Sequence, residues 1–561
     1  MTDAKPTLNG ARFIAETLKS YGVTHVFYVD AMLRKAMVDL EELGISRVVT
    51  HSEKAAAYMA DGYARISGKA GVCMAQSVGA ANLAAGLQDA FLASTPVIAL
   101  TGKKPPLWQH RNSYQEINHW PMFEPVTKFN ADVVAPEQLP QLLRQAFRTA
   151  VSGKPGPVHL DMIGREAREL EIAPIHQSVE VDERFIYTPP FRPAPDVDTL
   201  AAAAHAIEAA QRPIIVAGGG VRVSGAAAEL TALAEKRQIP VATSVDGKGC
   251  LVETHPLSVG VAGNYSAWCA NKAVCEADLV IYVGSATGDQ TTNNWKVPAI
   301  GTKIIQIDID PTELGRSYPN TIGIMGDAKI TLQHLAFLLQ PSAGNPEWIQ
   351  RTHQLVEEWN QEVQPLRSST AAPIRPERIC KELTDALPEN GILVTDTGYS
   401  AIWAATMIQI TSPNQTFIRA AGSLGWGFPA SLGAKCAAPD RPVICFTGDG
   451  GFWYHFAELE TARRRRIHTV TVVNNNNGFS QGIEDVHRMY GDRPGDPTEL
   501  YRFEQVSFAQ IARDMGCFGI RVEKPEEIGP AIQSALAANL PAVVEVMTDF
   551  SARVPPPWSP K

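Results

Sequence analysis

The stretch from Thr447 to Gly482, TGDGGFWYHFAELETARRRRIHTVTVVNNNNGFSQG, carries the residue types that hold a phosphate and a cation. It reads as the end of a buried strand, a Gly-Asp-Gly turn, an amphipathic helix, a second strand over Ile467–Val473, and four asparagines. A hydrophobic strand feeding a glycine turn and a helix offers backbone N–H groups to a phosphate. Asp449 in that turn points to a cation that bridges the phosphate. One helix and one strand separate Asp449 from Asn476, so a parallel sheet can bring both to the same end, where such folds keep their ligands. The pattern also fits a Rossmann-type nucleotide loop with an unrelated asparagine run, because short glycine motifs discriminate weakly.

The rest of the chain must build the sheets that position this stretch. Up to about residue 185, helices and short strands alternate: a helix from about Gly10 to Lys19, strand HVFYV, a helix from about Ala31, strand ISRVVT, helix Ala56 to Ala64, strand GVCMAQS, a helix from Ala80, and strand PVIALTG. Val158 to Leu160 reads as one more strand. Such βα repetition implies a parallel sheet covered on both faces. Residues 177–197, rich in proline, read as a linker. The pattern resumes with PIIVAGGGV, DLVIYVGS and KIIQIDID. Three glycines after a strand serve either a dinucleotide or close packing, since neither GxG spacing nor a well-placed acid follows. A second join over 341–375 carries the helix EWIQRTHQLVEEWNQEV, and the pattern restarts at ILVTDT and ends at AVVEVMT. The expected architecture is α/β, with three doubly wound parallel-sheet domains over 1–185, 195–340 and 376–550.

Composition narrows the function classes. With 561 residues, 45% hydrophobic and 19% charged, the chain can bury several full cores. A net charge of -9 argues against nucleic acid as the main partner. No apolar run reaches the ~18 residues of a membrane span, and MTDAKPTLNG lacks the apolar segment of a secretion signal, so a cytoplasmic location is expected. Eight scattered cysteines with no CxxC pair fit small core residues in a reducing compartment. Arg463 to Arg466 close a helix, where cations suit the dipole, as a solvated cap or a subunit contact.

The GDG turn, the following gap and the double asparagine together form the thiamine-diphosphate (ThDP) motif. The chain resembles the acetolactate-synthase-like and acyl-CoA-lyase-like branch of ThDP enzymes over nearly its whole length. The resemblance implies a pyrimidine-binding, a central and a diphosphate-binding domain in that order. By it, Asp449 and Asn476 ligate Mg²⁺ through their side chains and Gly478 through its carbonyl. Gly450 and Gly451 turn amides to the diphosphate, with Gly448 and Phe479 flanking them in the cofactor site. The segment THSEKAAAYMADGYAR is similar to the family's RHEQ-AA-ADGYAR, which makes Glu53 the carboxylate that hydrogen-bonds the pyrimidine. An acid in the first turn of an alanine-rich helix also suits the helix dipole, so that reading stands beside it.

Other segments extend the match. RAAGSLGWGFPASLGA resembles GGLGTMGFGLPAAIGA and puts Leu424 where a bulky apolar side chain holds the cofactor bent. QSVGAANLAAGL resembles the SGPGATN segment, placing Gly79 and Asn82 near the pyrimidine, and TDTGYSAIW makes Gly398, Tyr399 and Ser400 diphosphate candidates. Turn formation or close packing is the plain alternative for the small residues among them. Because the family takes the glutamate from one subunit and the diphosphate domain from its neighbour, a homodimer or homotetramer with active sites at the subunit interface is implied.

The substrate-facing positions depart from ordinary acetolactate synthase. FYVDAM replaces FGYPGG, putting Tyr28, Val29 and Asp30 in the pocket, and HSE replaces RHE, putting His51 before Ser52 and Glu53. Tyr114, Gln115 and Glu116 resemble the family's FQE, so Gln115 is expected near the thiazolium. His51 and His119 are candidates for proton transfer near neutral pH, with Trp120 and Ser480 shaping the pocket. NNNGFSQG lacks the synthase tryptophan and looks more like NNNGIYRG of oxalyl-CoA decarboxylase and 2-hydroxyacyl-CoA lyases. GVAG at 260–263 and the stretch SATGDQTTN argue against FAD, and FAD or ADP in the central domain stays open. The expectation is ThDP- and Mg²⁺-dependent C–C bond cleavage and formation on a 2-oxo acid or related small carbonyl donor, by a decarboxylating carboligase without flavin. The alternative is a lyase or decarboxylase of the 2-hydroxyacyl-CoA lyase or cyclic-diketone hydrolase kind. A NAD-dependent enzyme and a catalytically silent relative are the readings from other classes.

Overall fold

The computed structural model describes residues 7–165, 167–319 and 321–560; residues 1–6 of the first expected unit lie outside them. Three six-stranded sheets organise these residues, and every neighbouring pair of strands within them is parallel. The first sheet runs Ser46–Val49, His25–Tyr28, Gly71–Gln76, Val97–Lys103, Val158–Ile163, Phe129–Val133. The second runs Ser258–Val261, Val241–Thr243, Pro213–Ala217, Leu279–Val283, Lys303–Asp308, Thr321–Met325. The third runs Thr416–Arg419, Ile392–Thr395, Val443–Gly448, Val470–Asn475, Ala542–Met547, Phe518–Val522. The inner strands are continuous runs of buried Val, Ile and Leu, as sheets covered on both faces require.

Three local expectations need correction. Phe129–Val133, Ser258–Val261, Thr321–Met325, Thr416–Arg419 and Phe518–Val522 are edge strands that the sequence reading does not mark. The amphipathic helix after the Gly-Asp-Gly turn is two helices, Asp449–Trp453 and Glu458–Arg465. The following strand is Val470–Asn475, so the first two asparagines of the run still belong to the sheet.

The first and third units share one core. Phe27, Met59 and Leu87 pack in the same buried cluster as Phe428, Phe452 and Val473. At its centre helix Glu53–Ser67 crosses helix Gly427–Ala437 with almost no side chain between them. A Cβ on Gly62 would lie 2.1 Å from the Ala430 carbonyl oxygen, and one on Gly433 would lie 1.9 Å from that of Met59. The close approach explains why both positions are glycine. A second cluster joins Tyr282 of the central unit and Trp359 of helix Pro346–Arg367 to Trp403 and Phe446 of the third.

The three glycines after Pro213–Ala217 pack tightly. A Cβ at Gly218 would sit 2.3 Å from the Gly284 carbonyl oxygen, and one at Gly220 would sit 2.7 Å from the Gly284 Cα.

Candidate active site

Strands Val443–Gly448 and Val470–Asn475 pair Gly448 with Asn474, so the turns that follow them lie at one end of the sheet. The Gly478 N–H donates to Asp449 Oδ2 at 2.9 Å. Asp449 is buried, and desolvation pushes its carboxyl up to about 7 despite the N–H groups of Gly450 and Gly478. Asn476 donates Nδ2 to Ser480 Oγ at 3.3 Å and leaves a buried Oδ1 with no partner. A carboxyl whose charge is costly to bury and an orphaned amide oxygen are hard donors that a divalent cation would satisfy. These residues fit Mg²⁺.

The four asparagines divide their work. Asn474 accepts from Thr548 Oγ1 at 2.6 Å and donates to Ser400 Oγ at 3.3 Å. Asn475 donates to Glu545 at 2.8 Å and accepts from the Asn477 N–H at 3.1 Å. Asn477 turns the chain with a left-handed φ of 57°. Of the four, Asn476 alone has a buried side-chain oxygen without a partner.

Glycines let the turns at this end of the sheet pack closely. A Cβ on Gly450 would meet the Phe479 ring at 2.4 Å, one on Gly451 would meet Thr447 Oγ1 at 2.8 Å, and one on Gly478 would meet the Tyr501 carbonyl oxygen at 2.2 Å. Gly448 faces Ser400 Oγ. Gly398, with φ 75°, starts helix Tyr399–Met407, which holds Ser400 buried and Tyr399 edge-on against Trp403. Phe479 is half-exposed and packs edge-on against Phe503.

Leu424 sits half-buried on the loop between Arg419 and Gly427, and three acids from elsewhere hold that loop. Asp396 accepts from the N–H groups of Thr397, Gly425 and Gly427, and its burial pushes it up to about 6. Asp89 accepts from Ala421 and Ser423, each at 3.0 Å. Asp61 accepts from the Trp426 indole at 2.8 Å. Arg65 ties Asp61 and Asp89 together, with Nε 2.7 Å from the first and Nη2 2.9 Å from the second, the three side chains being at most 3% exposed. Asp89 and Asp396 escaped the sequence reading. The usable signal was a lone acid inside an otherwise apolar segment, for these are the positions that burial penalises unless a partner is present.

Glu53 opens helix Glu53–Ser67 and accepts from Asn82 Nδ2 at 3.1 Å. A Cβ on Gly79 would lie 2.5 Å from Glu53 Oε1, so only glycine leaves this carboxylate its place. Gln76 donates to Gln115 Oε1 at 3.2 Å, which puts Gln115 beside the same strand end. Glu53, Gly79, Asn82 and Gln115 therefore gather at the end of Gly71–Gln76.

The remaining expected pocket residues are scattered. His51 turns away: its N–H donates to Glu458, and its Nε2 lies 2.8 Å from Glu460 Oε2 on helix Glu458–Arg465. Tyr28 belongs to the buried core of the first unit, Val29 is half-buried, and the exposed Asp30 pairs with Arg34 at 3.1 Å. Trp120 is half-exposed at the start of a short helix, next to the buried His119. Ser480 is buried against Asn476.

A parallel-sheet end with this donor set and a second sheet end with a glutamate are features that a ThDP enzyme requires. The family model described as thiamine pyrophosphate enzyme, N-terminal TPP binding domain, matches residues 8–122; the central-domain model matches 200–335 and the C-terminal TPP binding domain model 396–546. The chain belongs to the ThDP-dependent enzymes of the acetolactate-synthase type, which use the cofactor for carboligation or decarboxylation. It is 35% identical to a probable acetolactate synthase large subunit of Methanocaldococcus jannaschii, over 98% of this chain and 93% of the relative. It is 30% identical to the acetolactate synthase isozyme 2 large subunit of Escherichia coli, over 97% and 96%. It is 29% identical to the acetolactate synthase large subunit of Lactococcus lactis, over 98% and 94%.

Proposed function

We propose that the chain is a Mg²⁺-dependent, homo-oligomeric carboligase of the cytoplasm that decarboxylates a 2-oxo acid and joins the remainder to a second carbonyl compound, without flavin. The observation that carries this reading is the unpartnered Asn476 Oδ1 beside the buried Asp449. Residues 376–550 would hold the diphosphate through Asp449, Asn476, the Gly478 carbonyl and the amides of Gly450 and Gly451, with Gly448, Gly398, Tyr399, Ser400 and Phe479 around them. Residues 1–185 would hold the pyrimidine through Glu53, with Gly79 and Asn82 shaping its surroundings, and Leu424 would support the bent cofactor. When bound, ThDP supplies a nucleophilic carbon and an electron sink. Glu53 holds a proton at the pyrimidine, and Gln115 orients the substrate beside it.

Subunit pairing is supported by apolar side chains left exposed beside both halves of the site. Val78 precedes Gly79, which abuts Glu53, Tyr114 precedes Gln115, and Tyr454 closes helix Asp449–Trp453; these side chains are 48% to 80% exposed. Eight free cysteines fit a reducing compartment, and among the described residues no helix is long and apolar enough to cross a membrane. A flavin-free reading is supported by the central unit, residues 195–340. There GVAG stands at 260–263 and SATGDQTTN at 285–293, in place of the segments that accompany a flavin in the resembled family. The lyase or decarboxylase reading is favoured by the NNNGFSQG segment, which lacks the synthase tryptophan.

The deciding experiment is mass spectrometry of products from the purified protein with ThDP and Mg²⁺. It is offered 2-oxo acids, 2-hydroxyacyl-CoAs, oxalyl-CoA and cyclic diketones, with and without an aldehyde, and Glu53→Gln is the control. A ligated product lost in the control supports the carboligase; free aldehyde or formyl-CoA moves the protein to the second reading.

A further inference from the structure

The central unit supplies none of the cofactor-site residues named above, yet it grips the root of the loop that carries Leu424. Arg419 ends strand Thr416–Arg419, and that loop starts at the next residue. The Arg419 side chain reaches into the central unit, where Nε lies 3.1 Å from Asp246 Oδ1 and Nη2 lies 2.8 Å from Asp246 Oδ2. Nη2 also donates to Gln290 Oε1 at 2.7 Å. Asp246 stands on the short helical turn Val245–Gly247 and Gln290 on helix Asp289–Thr292, so two separate elements of that unit hold one guanidinium. A two-pronged contact of this kind fixes direction as well as distance, because the guanidinium is planar and its N–H groups are splayed at set angles.

The same side chain also holds the loop. Nη1 donates to the Ala420 carbonyl at 2.9 Å, while the Arg419 carbonyl accepts from Arg65 Nη1 of the first unit at 2.6 Å. Further along, Asp89 fastens Ala421 and Ser423, and Asp396 fastens Gly425, so Leu424 sits between two fastened neighbours. Asp89 and Asp396 belong to the first and third units; Arg419 is where the central unit joins the same frame.

Electrostatics tighten the joint. Burial works against the charge of Asp246, but the charge and hydrogen bond of Arg419, with the charges of Arg222 and Arg65, hold this carboxyl below the usual carboxylate range. Arg419 is 6% exposed, so without Asp246 its charge would stay in a dry interior with part of its donors unmatched. Arg222 of the central unit adds a second tie to the same strand, donating Nη1 to the Phe417 carbonyl at 3.0 Å.

We propose that Asp246 and Gln290 are positioning residues for the cofactor: through Arg419 they set the path of the loop that carries Leu424, without touching the cofactor themselves. The inference rests on the ThDP reading above, which puts Leu424 against the bent cofactor, and it gives the central unit a part in that site. No proton or bond changes hands. The two residues act by holding the loop in one geometry, which lowers the ordering cost of cofactor binding.

The test reads the loop first and the cofactor second, on the full chain. Hydrogen exchange of the segment 416–427, followed by mass spectrometry on the cofactor-free protein, is compared among the wild type, Asp246→Asn, Gln290→Met and Glu276→Gln. Glu276 is the matched control, since Arg351 grips it in the same two-pronged way at 2.9 and 2.8 Å. Exchange quickens in Asp246→Asn, less so in Gln290→Met, and stays at the wild-type rate in Glu276→Gln; wild-type exchange in Asp246→Asn overturns the proposal. Calorimetry of ThDP binding in Mg²⁺ is the second arm, in which Asp246→Asn raises Kd about tenfold. That loss shrinks when Leu424→Ala is already present, because two residues that act through one loop do not add. Full additivity, or an equal loss in Glu276→Gln, overturns the proposal. Should Asp246→Asn fail to fold, unmoved exchange and unmoved Kd in Gln290→Met overturn it. A wild type that binds no ThDP in Mg²⁺ sinks the ThDP reading, whereas the exchange arm still decides whether the central unit holds the loop.

Discussion

Trp426 donates its indole N–H to Asp61 Oδ2 at 2.8 Å, across 365 positions of sequence. The bond joins the ADGYAR helix of the first unit to the loop that carries Leu424. Arg65 holds the same carboxylate through two 2.7 Å contacts, so the loop is braced by a buried ion network. Removing one partner of such a network strands the others in a dry interior. Arg65→Met is expected to destabilise the protein by about 3–5 kcal/mol, and Trp426→Phe by about 1.5–3 kcal/mol. Denaturant unfolding measures both, and a loss under 1 kcal/mol for Arg65→Met would mean the network is solvated.

Asn476→Ala and Asp449→Asn should each abolish the cation-dependent part of cofactor stabilisation. For the wild type at 100 times Kd, ligand linkage gives about 2.7 kcal/mol. Thermal unfolding with ThDP in Mg²⁺ or in EDTA reads the difference. Variants that respond to Mg²⁺ as the wild type does would remove these two side chains from the metal site.

Gly62→Ala places a methyl against the Ala430 carbonyl, where the backbone cannot yield without parting the two helices. A loss of about 3 kcal/mol or more is expected, from overpacking together with helix separation. Gly288→Ala is the matched control, because nothing lies within 4 Å of its Cβ position. Equal effects at the two positions would show that contact is not the cause.

His25 and His455 are both pushed down to about 4, chiefly by burial. Each stays neutral in the folded chain down to that pH, whereas the unfolded chain protonates near 6.5. Between about pH 6.5 and 4 the unfolded state therefore binds more protons, and stability falls on acidification by up to about 1.4 kcal/mol per pH unit for each group. The contribution is fully present above pH 6.5. Urea unfolding at pH 7.5, 6 and 5 should show a shallower decline in His25→Gln and His455→Gln; a decline equal to the wild type's would place the acid sensitivity elsewhere.

The sheets were legible because their inner strands are unbroken apolar runs, a pattern that local sequence records directly. Phe129–Val133 was not, because FNADV lies at a sheet edge and is mostly half-buried, so neither alternation nor a full apolar run marks it. The nearness of Asp449 and Asn476 could be read because a turn and the next strand deliver them within one segment. His51 could not be judged that way: its partners Glu458 and Glu460 come from the far side of the chain, and only the packing of the first unit on the third reveals them. The same applies to His119, whose buried partner Asp161 lies 42 positions away.

The glycine crossing of helices Glu53–Ser67 and Gly427–Ala437 also bears on how the gene can be cut. A product limited to residues 376–550 would expose Phe428, Leu432 and Phe452, which the first unit now covers, and would be expected to aggregate. A break in the exposed stretch at 370–373 leaves that crossing intact. Two separately synthesised fragments divided there would be expected to find each other and restore the whole, which makes this protein a candidate for complementation and a poor source of isolated modules.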